Sequence, residues 1–162
     1  MKEKDSQQQY ASRDFRYALI IGAIAGIVSV ILNIAITLLN LPTFQQVLRE
    51  GQHVTYNSAL ALTELQCLNF FITLLICFIA GYLVGRFVLQ RRFGLYAGVL
   101  AGIIIYLSSF IVNYIPNYPG KFTPDIVTAI VFLFIWSFIG GMASLLGAWL
   151  ATRRHPYYRR SS

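Results

Sequence analysis

The sequence predicts an all-α, polytopic membrane protein in which four transmembrane helices form two helical hairpins within a glycine-rich bundle. Of its 162 residues, 57% are hydrophobic and 12% are charged, and the mean hydropathy is +0.62. A soluble domain usually has about 25% charged residues. The apolar residues are also gathered into long runs, and a helix needs about 20 of them to cross the hydrocarbon core. Both observations are typical of an integral membrane protein.

Four runs are long enough to span a membrane, and they predict spans over about residues 17–41, 65–89, 93–115 and 126–152. The second contains Arg86 near its end, where the long side chain reaches the membrane surface. The first run is longer than the apolar region of a cleaved signal peptide, which is about 7–15 residues, so we expect it to be retained. Residues 1–16 and 153–162 are then expected to be an N-terminal segment and a basic tail.

The positions of the basic residues predict the orientation of the chain. Four lysines and arginines precede the first span, three lie near the second connection and four lie in the tail. The other two, Arg49 and Lys121, lie in the first and third connections. By the positive-inside rule, both termini are expected on the cytoplasmic side of the cell membrane. Insertion thus accounts for the net charge of +7, and the basic face favours anionic lipid headgroups rather than nucleic acid as partners.

The spans pair into two similar hairpins. The sequence GAIAG at residues 22–26 corresponds to GVLAG at residues 98–102. Gly85 and the pair Arg91-Arg92 in the first hairpin correspond to Gly147 and Arg153-Arg154 in the second. Chance similarity between glycine-rich spans is the alternative explanation. A parallel repeat of this kind occurs in transporters, where the site lies between the halves.

The connections contain signals for helix ends. Thr63-Glu64 and Thr123-Pro124-Asp125 each combine a capping hydroxyl with an early acid, so the even-numbered spans are expected to begin there. The first connection, residues 42–63, is the longest loop. Its apolar residues Phe44, Val47 and Leu48 could place a short helical turn on the outer membrane surface.

Each span has small and polar residues at spacings of three and four, which place them along one face of a helix. Because lipid provides no hydrophobic force between helices, such faces associate through close glycine contacts and hydrogen bonds. The expected packing glycines are Gly22, Gly26, Gly81, Gly85, Gly98, Gly102, Gly141 and Gly147. The expected interior polar stripe contains Asn33, Thr37, Asn40, Gln66, Asn69, Thr73, Ser109 and Asn113.

The glycines lie toward the cytoplasmic ends of the spans and several amides lie toward the outer ends, so the bundle should be tighter on the cytoplasmic side. Two interpretations of the polar stripe stay open at this point. The side chains bond to one another across the helices, or they line a hydrated outer cavity for a small polar solute.

The sequence predicts no catalytic, cofactor-binding or metal-binding residue. Intramembrane enzymes and ion-coupled transporters usually need an ionisable group within the hydrocarbon, and no span has one in its middle. Cys67 and Cys77 lie about 15 Å apart along one helix, which is too far for a disulfide. His53 and His155 have no partner at metal-binding spacing. We expect a non-enzymatic membrane component that packs with itself or a partner; the alternative is a small transporter or channel subunit for a polar solute.

Overall fold

The computed structural model describes residues 2–50, 53–114 and 123–153, with side chains from Arg13 onward except that of Val112. Five α-helices make up almost all of this part of the chain, which contains no strand. They are α1 (Lys2–Leu39), α2 (Leu41–Glu50), α3 (Tyr56–Val88), α4 (Arg91–Ile111) and α5 (Ile126–Thr152), and a 3-10 turn at Val112–Tyr114 follows α4. The predicted all-helical fold is confirmed. Lys121, His155 and the tail beyond Arg153 lie outside the described residues.

Four helices are long and apolar enough to cross a membrane: the part of α1 from Arg13 to Leu39, and α3, α4 and α5. The 21 residues of α4 extend about 32 Å, close to the hydrocarbon thickness of about 30 Å. The 33 residues of α3 extend about 50 Å, so this helix continues beyond the hydrocarbon. The architecture is that of a multi-pass membrane protein.

The helices α3 and α4 pack against each other at the centre of the bundle, and α1 and α5 pack on opposite sides of this pair. The most extensive contacts are those of α5 with α4 and with α3. Corresponding helices of the two hairpins, α1 with α4 and α3 with α5, are neighbours. The hairpins therefore lie side by side.

The first connection is more helical than the sequence predicted. The whole segment Leu41–Glu50 forms α2, in place of a single turn, and none of its residues is buried. After Glu50, the chain enters α3 at Tyr56, well before the predicted start at residue 65. Residues 59–62 are Ala-Leu-Ala-Leu, a run of strong helix formers that favours this extension.

The start of α3 corrects the prediction for Thr63 and Glu64. Both residues lie inside the helix, where the hydroxyl of Thr63 donates to the backbone oxygen of Ala59 at 2.9 Å. The N-cap is Thr55, whose side chain accepts a hydrogen bond from the backbone N–H of Ser58 at 3.4 Å. A Thr-Glu pair inside a helix cannot be told from one at its start by composition alone, because the threonine hydroxyl can also bond back into the preceding turn.

The start of α5 lies where the sequence predicted it. Its N-cap is Asp125, which accepts a hydrogen bond from the backbone N–H of Thr128 at 3.2 Å, so a carboxylate rather than the Thr123 hydroxyl caps the helix. The hydrogen bonds from Thr128 lower the pKa of Asp125. A carboxylate at this position is further favoured by the positive end of the helix dipole.

The connection from α3 to α4 consists of Leu89 and Gln90 alone. Leu89 adopts a left-handed conformation with φ of 58°, and its N–H donates to the backbone oxygen of Gly85 at 3.2 Å. This arrangement ends α3 and allows α4 to begin at Arg91. We call this side of the bundle the α3–α4 end and the opposite side the α2 end.

Burial is concentrated toward the α3–α4 end. In α5 every buried residue lies from Gly140 onward, and residues 126–139 contain none. In α3 the buried residues from Thr73 onward face the bundle, and before them only Ser58 is buried. The helices thus pack closely at the α3–α4 end and less closely toward the α2 end, which is the gradient expected from the glycine positions.

Candidate functional site

Three polar side chains meet between α1 and α3, and we call Ser29, Asn33 and Thr73 the α1–α3 polar cluster. The hydroxyl of Ser29 donates to Oγ1 of Thr73 at 3.1 Å, and Nδ2 of Asn33 donates to the same oxygen at 3.1 Å. Ser29 is 0% exposed and Thr73 is 3% exposed. Because Ser29 and Asn33 are four residues apart, they lie on the same face of α1 and can share one acceptor on α3.

Two amide oxygens near this cluster are buried without a hydrogen bond. They are Oδ1 of Asn33 and Oδ1 of Asn69. Asn69 precedes Thr73 by one helical turn and lies on the same face of α3. A buried amide oxygen without a partner costs about 1–3 kcal/mol. These oxygens are therefore available to accept hydrogen bonds from a water or another small donor.

The other members of the predicted polar stripe are placed differently. The buried hydroxyl of Thr37 donates to the backbone oxygen of Asn33 at 2.9 Å, and Nδ2 of Asn40 donates to that of Ile36 at 2.8 Å. The first bond lies within α1, and the second joins the residue after α1 to its last turn. The remaining three are Gln66, which is exposed, and Ser109 and Asn113, which are half-buried on α4 and in the 3-10 turn. The structure thus joins Asn33 to Thr73, with Asn69 one turn away, and leaves Gln66 exposed.

Most of the predicted packing glycines lie where two helix backbones approach each other. A Cβ atom on Gly85 would be 2.7 Å from both Cα and the backbone oxygen of Ala148. A Cβ on Gly22, Gly81, Gly98, Gly102 or Gly147 would meet a backbone oxygen of Ala97, Ser144, Gly140, Trp136 or Phe78, respectively. A Cβ on Gly26 would be 2.9 Å from the side chain of Ile104. Only glycine permits these approaches, since any side chain would separate the helices.

Gly141 has a different environment. A Cβ atom there would meet the side chains of Val99 at 3.1 Å and Leu95 at 3.5 Å, and the nearest backbone atom would be the Leu95 oxygen at 3.7 Å. The close contact on this turn of α5 is made by its neighbour Gly140, whose Cβ would lie 2.6 Å from the backbone oxygen of Gly98. The expected face of α5 is therefore rotated by about one residue.

The contact between α4 and α5 also contains hydrogen bonds that the predicted polar stripe did not include. The buried hydroxyl of Ser144 donates to the backbone oxygen of Gly94 at 2.6 Å. Nearer the helix ends, Nε of Arg91 donates to Oγ1 of Thr152 at 3.0 Å. The spacing of four from Gly140 through Ser144 and Ala148 to Thr152 is the sequence signal for this face.

A second group of polar contacts, which the sequence did not predict, joins α2 to the start of α3. Oε2 of Glu50 accepts a hydrogen bond from the backbone N–H of Thr55 at 2.8 Å. Its Oε1 accepts from the hydroxyl of Ser58 at 2.7 Å and from Nε2 of Gln46 at 3.1 Å. These bonds, that from the Thr55 N–H foremost, hold the pKa of Glu50 below its ordinary value. Glu50 thus fixes α2 at the start of α3.

A groove of about 630 Å³ lies between α1 and α4, and we call it the α1–α4 groove. Its walls are Phe15 and Leu19 of α1 and Arg92, Phe93, Tyr96, Val99, Leu100 and Ile103 of α4. The ring of Phe15 contacts those of Phe93 and Tyr96, with centroids 6.2 and 5.8 Å apart. The guanidinium of Arg92 lies 5.3 Å from the Phe93 centroid. The groove therefore has one charged end and an otherwise apolar lining.

The cysteines are both free, with Cys67 exposed and Cys77 buried. Within residues 2–50, 53–114 and 123–153, no group of three or more His, Cys, Asp or Glu residues is arranged to hold a metal ion.

Taken with the contacts above, the fold defines a class: a multi-pass membrane protein held together by close glycine contacts and a few interhelical hydrogen bonds. No protein-family model, curated protein or solved structure matches the chain.

Proposed function

We propose that this protein is a non-enzymatic component of the cell membrane that packs with a second copy of itself or with a partner membrane protein. The observation that carries the proposal is the half of α5 toward the α2 end, residues 126–139, which contains no buried residue. This half is rich in aromatic side chains, and Phe134 and Phe138 are 70% and 68% exposed. Aromatic side chains contribute strongly to the packing energy of helix interfaces.

The glycine contacts within the chain indicate which kind of surface is left for association with another helix. The closest glycine approaches already join helices of the same chain, such as Gly85 with Ala148. An additional helix would therefore pack through side chains of the exposed face of α5. Dispersion contacts between such side chains are a main source of helix association in lipid.

The proposal includes an orientation with both termini and the α3–α4 end in the cytoplasm. Arg86, Arg91 and Arg92 lie at this end, whereas Arg49 lies in α2 at the other. This distribution of charge follows the positive-inside rule. The basic face would also attract anionic lipid headgroups.

The test is site-specific photo-crosslinking of the full chain in liposomes. Benzoylphenylalanine in place of Phe134 should give a covalent dimer, or an adduct with a partner protein when membranes of the native host are used. Ile24 on α1 is the matched control, since it is 56% exposed but lies on the other side of the bundle. If Phe134 gives adducts with lipid alone, as the control does, the association is contradicted.

A second candidate function, a small transporter or channel subunit for a polar solute, is favoured by the buried oxygens of Asn33 and Asn69. Acceptors without partners in this position suit a hydrated path between α1 and α3. Stopped-flow uptake of glycerol and urea by proteoliposomes tests this candidate with Asn33→Val and Asn69→Val together. A loss of flux with unchanged stability supports transport; a change in stability without any flux in the parent protein supports packing alone. Thr37→Val is the control, because its hydroxyl bonds within its own helix.

A further inference from the structure

We propose that the α1–α4 groove binds one anionic phospholipid of the cytoplasmic leaflet, with an acyl chain between α1 and α4 and the phosphate at Arg92. The inference rests on the orientation proposed above, which places the α3–α4 end at the cytoplasmic surface. The basic face attracts anionic headgroups in general. The groove would bind one such lipid at a defined site.

The length of the groove fits one leaflet. Its lining on α4 begins at Arg92 and ends at Ile103, which corresponds to about 16 Å along the helix axis. Half of a hydrocarbon core of about 30 Å is about 15 Å. An acyl chain that enters beside Arg92 would therefore follow the groove to the middle of the bilayer. The groove volume of 630 Å³ also falls within the range of about 300–1,000 Å³ found for ligand sites.

The polarity of the groove matches that of a phospholipid. Arg92 and Tyr96 lie toward the α3–α4 end, whereas Val99, Leu100 and Ile103 line the deeper part. Amphipathic side chains such as tyrosine are typical of the headgroup level, and aliphatic side chains are typical of the hydrocarbon. A ligand with one anionic end and a long apolar remainder satisfies both parts at once.

Arg92 is held in a position suited to a phosphate. Its Nε donates to Oε1 of Gln90 at 3.0 Å, and its guanidinium lies over the ring of Phe93. These contacts leave the two Nη groups for a ligand, and a guanidinium binds phosphate oxygens in a bidentate manner. Arg16, one residue after Phe15 on the opposite wall, is exposed and adds positive charge at the same level.

Charge also argues against a second copy of the chain as the occupant. Copies inserted in the same direction place their basic residues at the same membrane depth. A helix from another copy would therefore bring its own arginines close to Arg92, and the positive charges would repel each other. An anionic lipid replaces that repulsion with attraction.

The test is native mass spectrometry of the full chain, released from micelles that contain equal amounts of phosphatidylglycerol and phosphatidylcholine. We expect one retained phosphatidylglycerol for each chain. Arg92→Gln should reduce its affinity about five-fold, since one arginine near anionic lipid contributes about that factor. Arg86→Gln is the matched control: this arginine is exposed and lies at the same end, but outside the groove, and should have little effect.

A second pair of variants tests the acyl-chain part of the site. Leu100→Trp fills the groove and should displace the lipid, whereas Leu107→Trp, on an exposed part of α4, should not. Equal retention of the two lipids, or equal effects of Arg92→Gln and Arg86→Gln, would overturn the proposal. Loss of a dimer on Leu100→Trp without loss of lipid would instead assign the groove to a second copy. Lipid is counted for each chain, so failure here is distinguishable from failure of the association through α5.

Discussion

The contact between Gly85 and Ala148 gives the sharpest prediction for stability. In Gly85→Ala, the new methyl group would lie 2.7 Å from Cα and the backbone oxygen of Ala148. Nonbonded carbon atoms prefer about 3.5–4.0 Å, so α3 and α5 would have to separate by about 0.8 Å. The atoms in the way are backbone atoms that cannot rotate aside.

The magnitude follows from two opposing effects. Overpacking of this kind costs about 1–3 kcal/mol, and a rigid neighbour favours the upper half of that range. Alanine recovers up to about 1 kcal/mol relative to glycine within a helix. We therefore expect Gly85→Ala to lower the free energy of unfolding by about 1–2 kcal/mol.

Gly141→Ala is the matched control, because it makes the same chemical change at a buried glycine of the neighbouring helix. Its new methyl group would meet the side chains of Val99 and Leu95, which can adjust. We expect it to be neutral or to stabilise by up to about 1 kcal/mol. Unfolding by SDS in mixed micelles, followed by tryptophan fluorescence, measures both variants. If Gly141→Ala is the more destabilising of the two, the assignment of close helix contacts is wrong.

Three further predictions concern the polar groups and the thiols. Thr73→Val removes the acceptor of the α1–α3 polar cluster and should lower the free energy of unfolding by about 1 kcal/mol, since each of its two interhelical hydrogen bonds contributes about 0.6 kcal/mol. Thr63→Val, measured by the same SDS unfolding, should have a smaller effect, because that exposed hydroxyl bonds within its own helix. Maleimide should modify one thiol in the folded protein and two after denaturation, as intact mass will show, since Cys67 is exposed and Cys77 is buried. The pKa of Glu50 is lowered on folding, so its stabilisation of the α2–α3 junction is complete above the ordinary pKa of 4.5 and is lost as the pH falls through the lower folded pKa. Protection factors from amide hydrogen exchange at the start of α3 should fall in that acid range. Protection that persists there would contradict this role of Glu50.

The parts of the fold that the sequence predicted are those that depend on hydropathy. An apolar run such as residues 126–152 can satisfy its backbone in lipid only as a helix, so length and composition determine the element. The extension of α3 back to Tyr56 was missed because it lies outside the hydrocarbon, where apolar length carries no information. Its start depends on the contacts of Glu50 with Thr55 and Ser58, which involve residues from two elements.

The candidate site was predictable to a smaller extent. Spacing placed Asn33 and Thr73 on inward faces, and the structure joins them. Gln66 lies two turns before Thr73 on the same face of α3 but is exposed. Spacing could not show this, because it does not tell where along a helix the close packing of the bundle ends. The α1–α4 groove could not be predicted from the sequence either, because it depends on which two helices are neighbours. A sequence of four apolar runs does not determine the order of the helices around the bundle.

The direction in which the first-hairpin glycines face has a consequence for biogenesis. Gly22 and Gly26 of α1 lie against α4, and Gly81 and Gly85 of α3 lie against α5. During synthesis α1 and α3 enter the membrane first, and the α1–α3 polar cluster can form as soon as both are inserted. Their glycine faces have no partner until the ribosome has delivered α4 and α5. A nascent chain arrested after the first hairpin therefore presents these glycine faces to lipid instead of to the helices against which they pack in the complete bundle.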